Sequence, residues 1–108
     1  MGGGVVSGRA IHKHVVKVAD EIRIYVPHGA PLLLVAHQPD RMRADEIGFW
    51  FEVPADLAPD ACLSPQVFYV VGTGNPVPDG AVSLMSLIAG PFVWHLYRPI
   101  ASHAQVPA

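Results

Sequence analysis

The stretch Ile47-Gly48-Phe49-Trp50-Phe51-Glu52-Val53 sets Ile47, Phe49, Phe51 and Val53 on one side of an extended chain and Gly48, Trp50 and Glu52 on the other. Successive side chains of a strand point to opposite faces, so this alternation predicts a strand with one face against an apolar interior. Upstream, Arg9 to Val18 and Ile22 to Val26 are rich in β-branched residues, and the short link Ala19-Asp20-Glu21 suggests a hairpin. In that register Val18 faces Ile22, Val16 faces Ile24 and His14 faces Val26, while Lys17 pairs with Arg23 and Val15 with Tyr25 on the other side. Leu32 to His37, after the turn Pro27-His28-Gly29-Ala30-Pro31, is a continuous apolar run of the kind found in well-covered strands. Gln38 to Glu46 holds Pro39, Asp40, Arg41, Arg43, Asp45 and Glu46 and reads as the solvated tip of a long hairpin.

Downstream of the alternating stretch, Pro54 to Pro65 reads as an irregular crossing with room for one helical turn around Asp56 to Ala61. Gln66 to Val71 is a fifth strand, closed by Gly72-Thr73-Gly74-Asn75-Pro76 and a second bend at Pro78-Asp79-Gly80. Val82 to Ala89 and Phe92 to Arg98 are the last two strands, about a tight turn at Gly90-Pro91. The expected architecture is therefore all-β, with about seven short antiparallel strands in a small sandwich or partly open barrel. It forms a single β domain over residues 9–99, between a flexible N-terminus (1–8) and a flexible tail (100–108).

Composition narrows the function classes. A chain of 108 residues has room for one core, and 51% hydrophobic against 15% charged residues is the composition of a chain that folds. Seven basic and nine acidic residues give a net charge of -2, without the cationic surplus that draws proteins onto duplex nucleic acid. The single cysteine, Cys62, cannot close an intramolecular disulfide. The first eight residues lack a signal-peptide core, and Val6 stands where a myristoylation motif needs Ser or Thr. The run Val26 to Ala36 is broken by Pro27, His28, Gly29 and Pro31, well short of the roughly 20 residues of a membrane-spanning helix. A cytoplasmic protein without membrane segment or cofactor is expected.

Three blocks in order, Ile11-His12-Lys13-His14, Val70-Val71-Gly72-Thr73-Gly74-Asn75-Pro76 and Gly90-Pro91-Phe92-Val93-Trp94-His95-Leu96, resemble a family of short uncharacterised β-rich proteins of bacteria and their phages. The resemblance spans roughly residues 10–98. It implies a single β-rich domain of bacterial or phage source and brings no activity with it. This chain departs from the family pattern in having His12 and His14 where Tyr is usual and Asn75 where His is usual.

The chemistry-bearing residues give a weak catalytic signal. His12 and His14, at i and i+2, share one face of a strand and with His95 form the best available metal set, but Cys pairs and zincin spacing are missing. Packing is the preferred reading, and no metal is expected. Ser64, Ser83, Ser86 and Ser102 lie outside any Gly-x-Ser-x-Gly elbow. The glycine turn lacks the Walker lysine and opens no helix, so it reads as a turn needing positive φ, with Thr73 and Asn75 as candidate ligand contacts.

The last strand places Phe92, Trp94, Leu96 and Arg98 on one face and Val93, His95 and Tyr97 on the other, which suggests either contact with another subunit or a ligand, or a central strand of a closed barrel or one covered by the loop at Pro54 to Pro65. Lys13, Lys17 and Arg23, with Tyr25, suggest a basic, partly aromatic face on the first hairpin. The expected function is a non-catalytic binding protein, homo-oligomeric and, as the resemblance allows, phage-encoded. It would hold a host factor or a small anionic, nucleotide-like ligand through Lys13, Lys17, Arg23 and Arg98, with Trp94 or Tyr25 stacking a base. The alternatives are a small hydrolase or metal enzyme using His12, His14 and His95, with Thr73 or Asn75 positioning substrate, and a phage structural or accessory protein.

Overall fold

Ile47, Phe49, Phe51 and Val53 are the most deeply buried row in the protein, at 0–2% exposure, as their alternation requires. The structure is a computed structural model in which residues 8–100 are described. Seven strands follow in chain order: β1 (Arg9–Lys17), β2 (Glu21–Pro27), β3 (Leu32–Ala36), β4 (Glu46–Pro54), β5 (Leu63–Gly72), β6 (Val82–Ala89) and β7 (Phe92–Arg98). They form a three-stranded sheet in the order β1-β4-β3 and a four-stranded sheet in the order β2-β5-β7-β6, with antiparallel neighbours throughout. The fold is a small open sandwich, not a closed barrel. The expected N-terminal flexible segment up to residue 7 and the tail from residue 101 lie outside the described residues.

The two sheets meet through aromatic rings. Phe49 of β4 lies 4.8 Å from Phe68 of β5, and Phe51 lies 6.5 Å from the same ring, both tilted. Ile22, Ile24 and Val26 of β2, Val70 of β5, Leu96 of β7 and Val35 of β3 complete the interior. Each such side chain, fully buried, contributes about 1.5–3 kcal/mol of transfer free energy.

The first hairpin is not formed. β1 pairs with β4 (His14 opposite Phe49) and β2 pairs with β5 (Ile24 opposite Gln66), so the link Val18-Ala19-Asp20 is a corner between sheets. The amide of Val18 donates to the Asp45 carbonyl at 2.7 Å, and the Asp20 carbonyl accepts from Val70 at 3.1 Å. Backbone groups on either side of the corner are thus satisfied by different sheets.

Three further expectations are revised. The apolar run of β3 belongs to an edge strand with an irregular register between Leu32 and Leu34, and it leaves Leu33 and Leu34 about half exposed. The segment 55–62 holds two turns in place of a helical turn, closed by Leu57 N–H to Pro54 and Ala61 N–H to Ala58. The loop after β3 does join a long hairpin, β3 to β4, but Met42 folds back from it and is buried. Gly48 permits this, because a Cβ there would lie 2.6 Å from Met42 Cε and 2.8 Å from the Trp50 ring. No helix among the described residues is long and apolar enough to cross a membrane.

Candidate functional site

β5 and β7 are hydrogen-bonded neighbours, and their register sets Val71 opposite His95 and Gly72 opposite Trp94. The glycine turn therefore sits directly beside the aromatic end of β7. Trp94 and His95 are consecutive on a strand and point to opposite faces, so the turn has a chemically different neighbour on each side.

On the interior side, Trp94 stacks on Phe92 at 5.3 Å and lies against Gly72. A Cβ at Gly72 would be 3.0 Å from Asn75 Nδ2 and 3.5 Å from the indole Cζ3, so a bare backbone lets amide and ring close over it. Gly74 supplies the expected positive φ, at 93°. Gly72, Asn75 and Trp94, with Val18 and Asp20 of the corner and Pro76 and Pro78 beyond the turn, bound a cleft of about 490 Å³. The Trp94 indole N–H is buried without a partner among the described residues.

On the outer side, His95 is held at both nitrogens. Ser86 Oγ lies 2.6 Å from Nδ1 and Thr73 Oγ1 lies 2.8 Å from Nε2. A neutral imidazole has one donor and one acceptor nitrogen, and hydroxyls serve either way, so both tautomers are satisfied. A shallower recess of about 230 Å³ opens beside this trio, with Asn75, Val77 and Tyr97 in its wall. Asn75 thus borders both cavities. The Ser86–His95 pair has the reach of a nucleophile and its base, but the third partner is a hydroxyl that cannot offset an imidazolium as a carboxylate does.

The remaining candidates are dispersed. Lys13 and Lys17 lie on the outer face of β1, where Lys13 donates to Gln38 and lies 5.5 Å from the Trp50 ring centroid, and Lys17 approaches Asp45 at 3.7 Å. Arg23 and Tyr25 are on β2 in the other sheet, with Arg23 bound to Glu21 at 2.7 Å. Arg98 points inward: its guanidinium lies 4.7 Å from the Phe68 centroid and donates to Gln66, which in turn donates to the Ala30 carbonyl. Burial lowers the Arg98 pKa from its ordinary value. His12 and His14 share the inward side of β1, in the other sheet from His95, and His14 meets the Phe51 ring edge-on at 5.7 Å. Burial first, and then neighbouring His12, hold the His14 imidazole below its ordinary pKa. Among the described residues, no three His, Cys, Asp or Glu side chains gather at metal-binding distance.

Sequence reading placed Thr73, Asn75, Trp94 and His95 among the candidates and left out Ser86 and Asp20. Ser86 has a legible signal. Counting outward from Gly90-Pro91, Ala89 faces Phe92 and Ser86 faces His95. Asp20 had none, because its place at the cleft follows from the corner.

No curated protein and no solved structure matches the chain. Residues 7–106, which include the glycine turn and both faces of the β7 site, match a domain family described as a domain of unknown function, DUF7352, and the chain belongs to that family.

Proposed function

We propose that the protein is a non-catalytic binding module that self-associates and holds a small ligand or partner group in the cleft between the Gly72–Pro76 turn and the corner at Asp20. The carrying observation is the convergence of Trp94, Asn75 and Asp20 on a cleft of about 490 Å³, within the size range of small-molecule sites. An indole wall, an amide and a carboxylate suit a planar group with hydrogen-bond donors. A small anionic, nucleotide-like ligand would instead be held by cations that face different directions, Lys13 and Lys17 on one sheet and Arg23 and Arg98 on opposite faces of the other. A bacterial or phage source and a host factor or virion as larger partner belong to the same proposal and rest on the resemblance, and a cytoplasmic site of action rests on the single Cys62.

Native mass spectrometry of the protein taken directly from cells tests the reading. The expected result is a retained small mass that Asn75→Ala or Trp94→Ala releases while the fold persists. A wild-type chain that retains nothing, and whose Trp94 fluorescence in a Trp50→Phe background is unmoved by nucleobases or nucleoside monophosphates, would overturn it.

A His-dependent hydrolase is the second reading, favoured by the 2.6 Å Ser86–His95 contact. Under the binding reading, Ser86→Ala and His95→Ala hydrolyse activated esters no more slowly than the parent.

A further inference from the structure

Each sheet of an open sandwich ends in two strands whose outward N–H and C=O groups lack a neighbour, and folded proteins usually blunt such edges with charge, proline, bulges or short length. Three of the four edges here carry those devices. β1 has Arg9, Lys13 and Lys17, β2 has Glu21, Arg23 and Pro27, and β3 is five residues long with an irregular register. The fourth edge, β6, reads Val82-Ser-Leu-Met-Ser-Leu-Ile-Ala89, with no charge and no proline. Its single irregularity lies between Ser83 and Met85, which leaves Met85 to Ala89 in regular register with β7. Ile88 is 72% exposed, Val82 52% and Leu84 36%. β3 of the other sheet packs against β6, so half-exposed Leu33 and Leu34 extend the same uncharged flank.

We propose that β6 is the self-association edge of this protein, pairing antiparallel with β6 of a second copy so that two four-stranded sheets become one continuous sheet. This rests on the self-association part of the proposed function and assigns it a surface. A second copy is the occupant the flank fits, because an isologous contact brings the same uncharged edge from both copies together about a two-fold axis, residue i meeting j and j meeting i. A charge close to that axis would face the like charge of the other copy, and β6 has none. Centred on Leu87, the pairing sets Ser86 beside Ile88 of the other copy and Met85 beside Ala89, inward residues with inward and outward with outward. The outward N–H and C=O groups of β6 then satisfy one another, the same main-chain chemistry by which extended peptides add to sheet edges.

The test is sedimentation velocity over a wide concentration range on the full chain and on Ile88→Lys, Leu84→Lys and Ile11→Lys, together with amide hydrogen exchange of the parent. Ile11 is 61% exposed on β1 of the opposite flank and supplies a matched replacement. The expected result is a parent that associates and β6 amides whose exchange slows as concentration rises. Ile88→Lys would weaken association about tenfold or more by bringing two like charges together diagonally across the axis, Leu84→Lys would weaken it less by placing a lysine on the open edge, and Ile11→Lys would leave it unchanged. A parent that stays monomeric at every concentration would overturn both the edge and the self-association reading. Association that persists in both β6 variants, or β6 amides whose exchange ignores concentration, would overturn the edge alone. Exchange on the parent decides the matter even where a lysine variant fails to fold.

Discussion

The two flanks of the sandwich are built from the same kind of short strand and differ in how each meets solvent. β1 and β2 form a flank of paired charges, with Arg9 on Glu52 at 2.6 Å, Arg23 on Glu21 at 2.7 Å and Lys17 near Asp45. β3 and β6 form a flank without a charged residue in either strand. Exposed ion pairs are worth about 0–1 kcal/mol each, so the charges do little for the fold. Their physical effect is on encounters, since a lysine on an unpaired edge resists addition of another strand.

The contrast can be broken most severely at the wall both flanks share. Phe51→Ala should lower stability by about 3–5 kcal/mol, because the Phe51 ring is fully buried in the central strand β4 and touches both the His14 and Phe68 rings. Thermal unfolding would read this as a large fall in Tm, and a shift below about 1 kcal/mol would show that the sheets do not pack as described. A smaller effect is expected at the one cation turned inward. Gln66→Leu removes the acceptor of Arg98 and the donor to Ala30, and a loss of about 1 kcal/mol is expected for part-buried hydrogen bonds, measurable by urea unfolding.

The flanks should also differ in acid. Because the native His14 pKa lies below the unfolded value of 6.5, both states are neutral above that pH and His14 contributes no pH dependence there. As pH falls below about 6.5, the unfolded chain binds a proton that the native chain resists, and stability declines toward the lowered native pKa. His14→Phe should flatten the Tm–pH curve in that window, and an unchanged slope would remove His14 as its cause. The smallest effect sharpens the contrast: Lys17→Ala should change stability by less than about 1 kcal/mol, with a shift that shrinks further in high salt.

The strands and the two local hairpins, β3–β4 and β6–β7, were legible in the sequence, and the pairings between distant strands were not. Period-two alternation in Ile47–Val53 and frequent Gly and Pro punctuation mark the strands, since both act locally on the backbone. Pairing is decided by contacts distant in sequence. A short link such as Ala19-Asp20-Glu21 fits a hairpin as well as a corner between sheets, and the bonds of Val18 to Asp45 and of Val70 to Asp20, in different sheets, distinguish them. The same ambiguity governed the site. Thr73, Asn75, Trp94 and His95 were found because the turn and β7 are each recognisable alone, whereas the basic set came apart because Lys17 and Arg23 share a face only in the hairpin that does not form. The apolar run of β3 misled because composition reports hydrophobicity and says nothing of whether a second sheet lies over it.

The corner after β1 also has a temporal meaning. Only β3–β4 and β6–β7 are neighbours in both sequence and sheet, whereas Arg9 must find Pro54 and Glu21 must find Tyr69. Closing such loops is entropically costly before any contact repays it. During synthesis the N-terminal strands therefore precede their partners and wait as unpaired chain until β4 and β5 follow. The charges on β1 and β2 then serve as gatekeepers over that interval, when an uncharged edge would be exposed to other nascent chains.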